Sequence, residues 1–482
     1  NSAYGVYGLL KSSVFNTGTI SAIATAPNAS AIGVWGLSGS TLFNIGTISA
    51  ISNSGAAYAF KFQNSDAAVM LGKGSKLIGQ IYLGGINNKI SFLGGNHNLT
   101  FNEGSLASAS FTGSSLPYAV SGDRAAAIDP TPFFASMNMI QTTTRVISSL
   151  APDFIIGGNQ GQILYGNNLH LISSDETQFN ESKRDESSVA LKSQTSVALD
   201  GTAIWSQSFG GRIREQANGS LLGFTNKFYG GAIGVDRPVD ANTRYGIFIG
   251  SLFGSSNLAL NYGGTNTQMA YMDLYASYIL NRYFIKLNFQ GGCGSNLSTR
   301  NTNNNLLSNG IETAFSNSKS CHLSPELMMG RAIALGRIFN GDVTLTPTGH
   351  VRYLQNFFNG YAETGGTDKL SIDGYSAKSI ENRLILKVTH VSEISSGYQL
   401  KLNLSSGIIK TQQLRDHMLT GNLLGKPIQF PQSRIYSNRA VTFDLSTEIS
   451  KGPTSVFLAG QYSTMTNGDN DYSLRFGVNI RF

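Results

Sequence analysis

The last twelve residues, DYSLRFGVNIRF, alternate without a break. Tyr472, Leu474, Phe476, Val478, Ile480 and Phe482 fall on one face, and Asp471, Ser473, Arg475, Gly477, Asn479 and Arg481 on the other. Successive side chains of a strand point to opposite sides, so a period of two dictates a β-strand with one apolar and one polar face. The arginines need water and the apolar side needs cover. Either a soluble core or lipid meets that demand, and the rest of the chain bears on the choice.

From about residue 202 onward the same alternation returns segment after segment. Val343, Leu345, Pro347, Val351 and Tyr353 oppose Thr344, Thr346, Thr348, His350 and Arg352. Tyr398, Leu400, Leu402 and Leu404 oppose Gln399, Lys401, Asn403 and Ser405. We count about twelve such segments, each long enough to cross a bilayer when tilted. Their connections alternate between short ones, such as Asn281-Arg282 and Lys451-Gly452, and long ones, at 297–311 and 412–437. That pattern predicts a transmembrane antiparallel β-barrel; a pair of soluble β-sandwiches is the alternative. No run of 18 or more apolar residues exists. The mean hydropathy of −0.07 is what alternating strands average to.

Composition narrows the function. The net charge of +7 is scattered, with no basic cluster, which argues against a nucleic-acid partner. Two cysteines without a CxxC pair give no metal site, and nothing suggests a cofactor. There is no GxSxG or HExxH, and His390 and His417 have no evident nucleophile beside them, so an enzyme is not expected.

The chain upstream of the barrel is different. AYGVYGL at 3–9 returns as AIGVWGL at 31–37, and FNTGTISAI at 15–23 returns as FNIGTISAI at 43–51, both at an offset of 28. A decayed copy, AYAFKF, begins at Ala57. Short strands at a fixed period, each unable to bury a face alone, predict a β-solenoid (parallel β-helix) over 1–120. Residues 131–150 then form the best helix candidate. Thr131 is placed to cap it, Pro132 suits a first helical position, and Pro152 ends it beyond Leu150. Its single charge is Arg145, and its threonines weaken its propensity, so it needs shelter. It spans about 30 Å, the hydrocarbon thickness, and is expected inside the pore with Arg145 near an acidic wall residue. The charged run at 175–186 is a rival occupant. The expected division is 1–120 coils, 121–200 pore helix and linker, and 201–482 barrel.

With these pieces in place, the chain resembles an autotransporter of the type V secretion class. WSQSFGG at 205–211 resembles the first strand of that family's β-domain. GGAIGVD at 230–236 with RYGIFIG at 244–250 resembles the second and third, and MDLYASY at 272–278 the fourth. IDPTPF at 128–133 is similar to a segment ahead of some of these barrels, and Phe482 matches the terminal aromatic. The resemblance implies an outer-membrane translocator that exports and anchors its own β-helical passenger for adhesion or surface display. Its partners would be outer-membrane lipid, the β-barrel assembly machinery reading Phe476, Val478, Ile480 and Phe482, its own passenger, and host surface ligands. It would act as a monomer. A chain of this class opening at Asn1 without Met or a leader is expected to be part of a longer exported protein. A diffusion porin, or a surface hydrolase with its catalytic part upstream of residue 1, stand as alternatives. Asn167 and Asn168 lie in the linker rather than on the helix, so the family's self-cleavage is not supported and no catalytic residue is assigned.

The polar face supplies the expected lumen residues: Asp273, His350, Arg352, Glu381, Arg383, Lys387, Asp444, Glu448 and Arg475. Cys293 and Cys321 fall on the outward faces of consecutive strands, at similar heights above the short turns. A bond between them is expected from an oxidising periplasm, two thiols facing lipid being the alternative. Closing a loop of that length would contribute about 3 kcal/mol in the chain-entropy model.

Overall fold

The structure is a computed structural model that describes residues 2–8, 10–107, 109–152, 155–156, 163–164, 201–240, 242–395, 397–414, 418–431, 437–466 and 468–482. The run at 175–186, Asn167, Asn168 and His417 lie outside the described residues.

Twelve antiparallel strands form the barrel. In order they are Ala203–Glu215, Phe224–Pro238, Thr243–Leu258, Gly263–Leu280, Tyr283–Asn304, Ile311–Arg331, Gly341–Phe358, Tyr375–Ser395, Tyr398–Gln413, Ser437–Lys451, Thr454–Met465 and Asn470–Arg481. Each pairs with its neighbour, and the first pairs with the last from Ala203↔Arg481 to Arg214↔Asn470, so the cylinder is closed. Lipid offers an amide no hydrogen-bond partner, and only closure satisfies a spanning sheet. The alternation sorts the side chains as expected. Leu384, Leu404 and Leu474 face outward at 61–62 % exposure, while Trp205 points inward at 2 %.

One end is trimmed by short turns that use left-handed residues such as Asn281 (φ 57°) and Gly452 (φ 53°). The other end is uneven. The fifth and sixth strands run for 22 and 21 residues, whereas the last two have 12 each. The sequence reading placed a long loop at 297–311; instead the ladder continues to Asn303↔Ile311, leaving only 305–310 as the turn. The polar run there lacks alternation because neither face meets lipid, yet the backbone pairs regardless of side chain. Cys293 and Cys321 are cross-strand partners of this tall hairpin and are bonded, their Cα atoms 4.0 Å apart. The long stretch after the ninth strand also folds further: Met418–Leu423 and Lys426–Pro431 join Tyr361–Ala362 and Ser371–Ile372 in a small sheet over the mouth.

Upstream, short strands stack in three parallel sheets. Val6 pairs with Val34, Phe15 with Phe43 and Ile20 with Ile48, each at the repeat offset. Asn16 donates to Asn44 (2.7 Å) and Asn44 to the Ser75 hydroxyl (2.7 Å), so the repeated asparagine becomes a buried ladder running from coil to coil. Leu42, Ile48, Phe60, Val69 and Ile81 fill the interior. A hairpin of Tyr118–Ser121 and Arg124–Ala127 follows, straddling the boundary expected at 120. It pairs with His97–Thr100, which in turn pairs in parallel with the fifth barrel strand.

His97 is fully buried in this junction, with Nε2 2.9 Å from the Gly94 carbonyl oxygen. Only an N–H can approach a carbonyl so closely, so Nε2 carries the proton. Burial pushes the His97 pKa down to about 4, against the hydrogen bond to Gly94. The native state therefore binds fewer protons than the unfolded chain between about pH 4 and 6.5, and stability present above pH 6.5 is lost as pH falls through that window. Urea unfolding followed between pH 7 and 4 is expected to show this decline, and H97Q to flatten it.

Candidate functional site

The lumen holds the helix Thr131–Ser148, among whose residues Phe133, Met137, Ile140, Arg145 and Ile147 are buried. The predicted start moves one residue earlier and the predicted end moves inward. Thr131 is the first helical residue rather than the cap, and the helix stops at Ser148, so Leu150 lies beyond it. Asp129 explains the start: its carboxylate accepts from the Thr131 backbone N–H (2.9 Å) and hydroxyl (2.5 Å), and its other oxygen from the Leu222 N–H (3.3 Å). Burial pushes the Asp129 carboxyl up, and the hydrogen bonds from Thr131 and Leu222 pull it partly back.

The far end of the helix is capped by the barrel wall. A helix leaves its last carbonyls without partners and a partial negative charge at that pole. Here Asn288 donates to the Ser148 carbonyl (3.0 Å), Arg475 to Ser149 (2.5 Å), Gln207 to Leu150 (2.7 Å), and Lys286 to Ala151 (2.7 Å) and Pro152 (3.3 Å). Because the wall takes these carbonyls, the chain unwinds before Pro152 is reached. Two of the donors are cations, which the helix dipole favours at this pole.

In the last turn of the helix, Arg145 reaches the wall. Its guanidinium lies 2.7 Å from Glu381 and 3.4 Å from Asp471. Glu381 also receives Arg352 at 3.0 Å and Arg383 at 3.4 Å. Arg383 also pairs with Glu326, whose same oxygen lies 3.0 Å from His350 Nδ1. Arg352 donates in turn to the helix, to the Thr144 hydroxyl (2.7 Å) and the Gln141 carbonyl (3.0 Å). Every charge here is buried, and each has a counter-charge. The opposite wall is aromatic: Trp205, Phe209, Phe248 and Tyr271 pack against Met137, Ile140 and Ile147 of the helix. A Cβ at Gly234 would collide with the Trp205 indole, and one at Gly250 with the Tyr271 ring, so glycines on the neighbouring strands let these rings lie flat.

The nine expected lumen residues all lie on the inward face, but they do not act together. Arg352, Glu381 and Arg383 belong to the network around Arg145, and His350 joins it through Glu326. Arg475 caps the helix. Lys387 lines a polar cavity of about 170 Å³ beside the helix end, together with Asp444, which accepts from the Ser405 hydroxyl (2.9 Å). Glu448 pairs with Lys401 at 3.6 Å, away from the helix. Asp273 is fully buried, and neither carboxylate oxygen has a hydrogen-bond partner in the protein. Sequence reasoning missed Gln207, Lys286, Asn288, Glu326 and Asp471 as contacts of the helix or its network. The alternation that placed Cys293 outward puts Lys286 and Asn288 inward, so their facing was readable; their partners were not.

Replacing Arg145 with Ala strips Glu381 and Asp471 of their shared cation inside a buried site, where breaking one member of a buried ion pair costs about 3–5 kcal/mol. R145A is expected to keep the barrel intact but loosen the helix. In planar bilayers it should open in bursts where the parent chain stays closed, and E381Q should behave alike.

Comparison with known proteins agrees with this geometry. No curated protein sequence matches the chain. Among solved structures it is similar to the translocator domain of the autotransporter NalP from Neisseria meningitidis (14% identity, 58% of this chain and 88% of that one, TM-score 0.46). It is also similar to the β domain of the Bordetella autotransporter BrkA (14%, 59% and 100%, TM-score 0.45) and to the transport unit of AIDA-I from Escherichia coli (11%, 62% and 93%, TM-score 0.41). Residues 204–477, more than half of the chain and nearly all of the barrel, match the family model of the autotransporter beta-domain. The chain belongs to the autotransporter family, and its barrel is an outer-membrane translocator.

Proposed function

We propose that the stacked coils are the end of a passenger that this barrel exports and then anchors at the cell surface. The observation that supports the reading most is the path of the chain. It leaves the coils at the end with the long connections, enters the lumen as a helix at Thr131, and is gripped at Ser148 to Pro152 close to the short turns. In this reading the structure is the state after export, with the last segment to pass retained in the pore. Coils that stack outside one after another make retreat unfavourable, which provides direction without a nucleotide. The barrel itself performs no catalysis, acts as a monomer, and carries its coils for adhesion or display toward host surface ligands.

Assembly would begin at the last strand. Phe476 and Phe482 stand outward, about half exposed, where lipid or an assembly factor meets them. The double variant F476D/F482D puts two carboxylates on that face, each costing less than the roughly 2–4 kcal/mol of an Arg or Lys at mid-membrane, and less again near the surface. The variant is expected to vanish from outer-membrane fractions and to give no heat-modifiable band. A normal band in that fraction would sink the terminal-strand reading.

A further inference from the structure

The positive charge that lies scattered along the sequence gathers on the outside of the barrel. The alternation that sends Trp205 and Phe209 inward sends Arg212 and Arg214 outward on the first strand, and Lys227 outward on the second. Arg212 stands directly opposite Lys227, with Tyr472 and Ser255 completing the row on the strands to either side. The outward row beneath it is Leu474, Gly210, Tyr229 and Phe253, the last two stacked at 5.4 Å. Apolar cover ends and charge begins within one step of the ladder. A second place repeats the arrangement: on the ninth and tenth strands Lys410 stands directly opposite Arg439, above an outward row of Leu384, Ile408 and Val441.

The height is that of lipid headgroups. Between Lys227 and Arg237 the outward residues of the second strand are Tyr229, Gly231, Ile233 and Val235. Those ten residues rise about 25 Å at a tilt of about 40°, which is the height of the apolar band of such a barrel. Arg237 ends the band toward the short turns, and Lys227 ends it toward the long connections.

The pairing needs an explanation, because like charges directly opposed on one face of a sheet repel. The carboxylates of the same strands give no relief: Glu215, Glu381, Asp444 and Asp471 all face the lumen. Among the described residues Arg212, Arg214, Lys227, Lys410 and Arg439 have no counter-charge, and Arg212 Nε is buried with no hydrogen-bond partner. Two cations so placed suit one anion that both can reach. A phosphate monoester carries about −1.5 to −2 charge and several strong acceptor oxygens, enough for a guanidinium and an ammonium together. A phosphodiester headgroup carries a single charge and balances half of a pair. The next outward row above Arg212 holds Asn470, Thr225 and Asn257 beside Arg214, amides and a hydroxyl of the kind that bind sugar hydroxyls.

We propose that Arg212–Lys227 and Lys410–Arg439 are two sites for the phosphate monoesters of a glycolipid in the outer leaflet of the membrane. Each site holds a headgroup phosphate against the rim of the apolar band, and the bound lipids fix the height at which the barrel floats. The inference rests on the reading that puts the long connections and the coils outside. Its test involves neither export nor cells, so the two can fail separately.

The experiment adds bisphosphorylated lipid A to the full chain in neutral detergent and counts retained lipid by native mass spectrometry. The parent is expected to retain two molecules. R212Q/K227Q and K410Q/R439Q are each expected to lose one, the affinity of that site falling about tenfold or more. R331Q, which removes an outward cation at the short-turn end, 5.2 Å from the Tyr283 ring, is expected to lose none. Heat-modifiability adds a sign: without lipid A the double variants are expected to unfold at a higher temperature than the parent, because repulsion is relieved, and with lipid A at a lower one. A purely structural role would move both the same way and overturns the proposal. Unchanged retention in both double variants overturns it too. So does equal retention of phosphatidylglycerol, since any anionic lipid would then suffice, or of lipid A stripped of its phosphates. Those last two comparisons use the parent chain, so they decide the matter even where a double variant fails to fold.

Discussion

A peptide group in hydrocarbon has no water to bond to, and almost everything in this molecule follows from that. Twelve strands close on themselves because an open edge in lipid would leave a column of unmet donors and acceptors. Closure makes an inside and an outside, and the period of the strand then assigns each side chain to one or the other. Low overall charge, abundant glycine and near-zero mean hydropathy are consequences of that division. The same rule governs the helix. Its last carbonyl and those of the unwound residues after it would be orphaned in the lumen, and the wall supplies Asn288, Arg475, Gln207 and Lys286 to meet them.

The lumen resolves a second conflict. A helix that fills a polar interior withdraws its charges from bulk water, which is costly unless they are matched. The network answers by sharing. Glu381 serves Arg145, Arg352 and Arg383 at once, and Glu326 serves Arg383 and His350. Such a cluster adds less to stability than its count of contacts suggests, because desolvation offsets most of the attraction. What it adds is position. A helix with one charge, set among fixed counter-charges, has one height at which that charge is satisfied.

The barrel was legible because alternation is a local property: Tyr472 to Phe482 declare their facing without reference to any other residue. The coils were legible for the same kind of reason, since FNTGTISAI and FNIGTISAI match at a constant offset. The helix was legible from Pro132, Pro152 and the lack of charge, but its ends were not. Its start depends on Asp129 answering to Leu222, and its end depends on side chains from three strands. The pairing of Asn303 and Asn304 with His97 and Asn98 was hidden altogether. An asparagine-rich run reads as loop, and only the height of the fourth strand reveals that these residues have an edge to fill.

Facing and register are different kinds of information, and the Cys293–Cys321 bond bears on the second. A slip of one residue between neighbouring strands would turn every apolar side chain into the lumen, so the pattern forbids it. A slip of two keeps each side chain on its proper side. Alternation is blind to it, yet it would change the stagger of the closed sheet and with it the tilt and girth of the cylinder. A covalent link between directly opposed residues admits no such slip. Bonded ahead of closure, these two strands would enter the sheet as a ruler already cut to length, and the remaining ten would have one fixed mark from which to take their stagger.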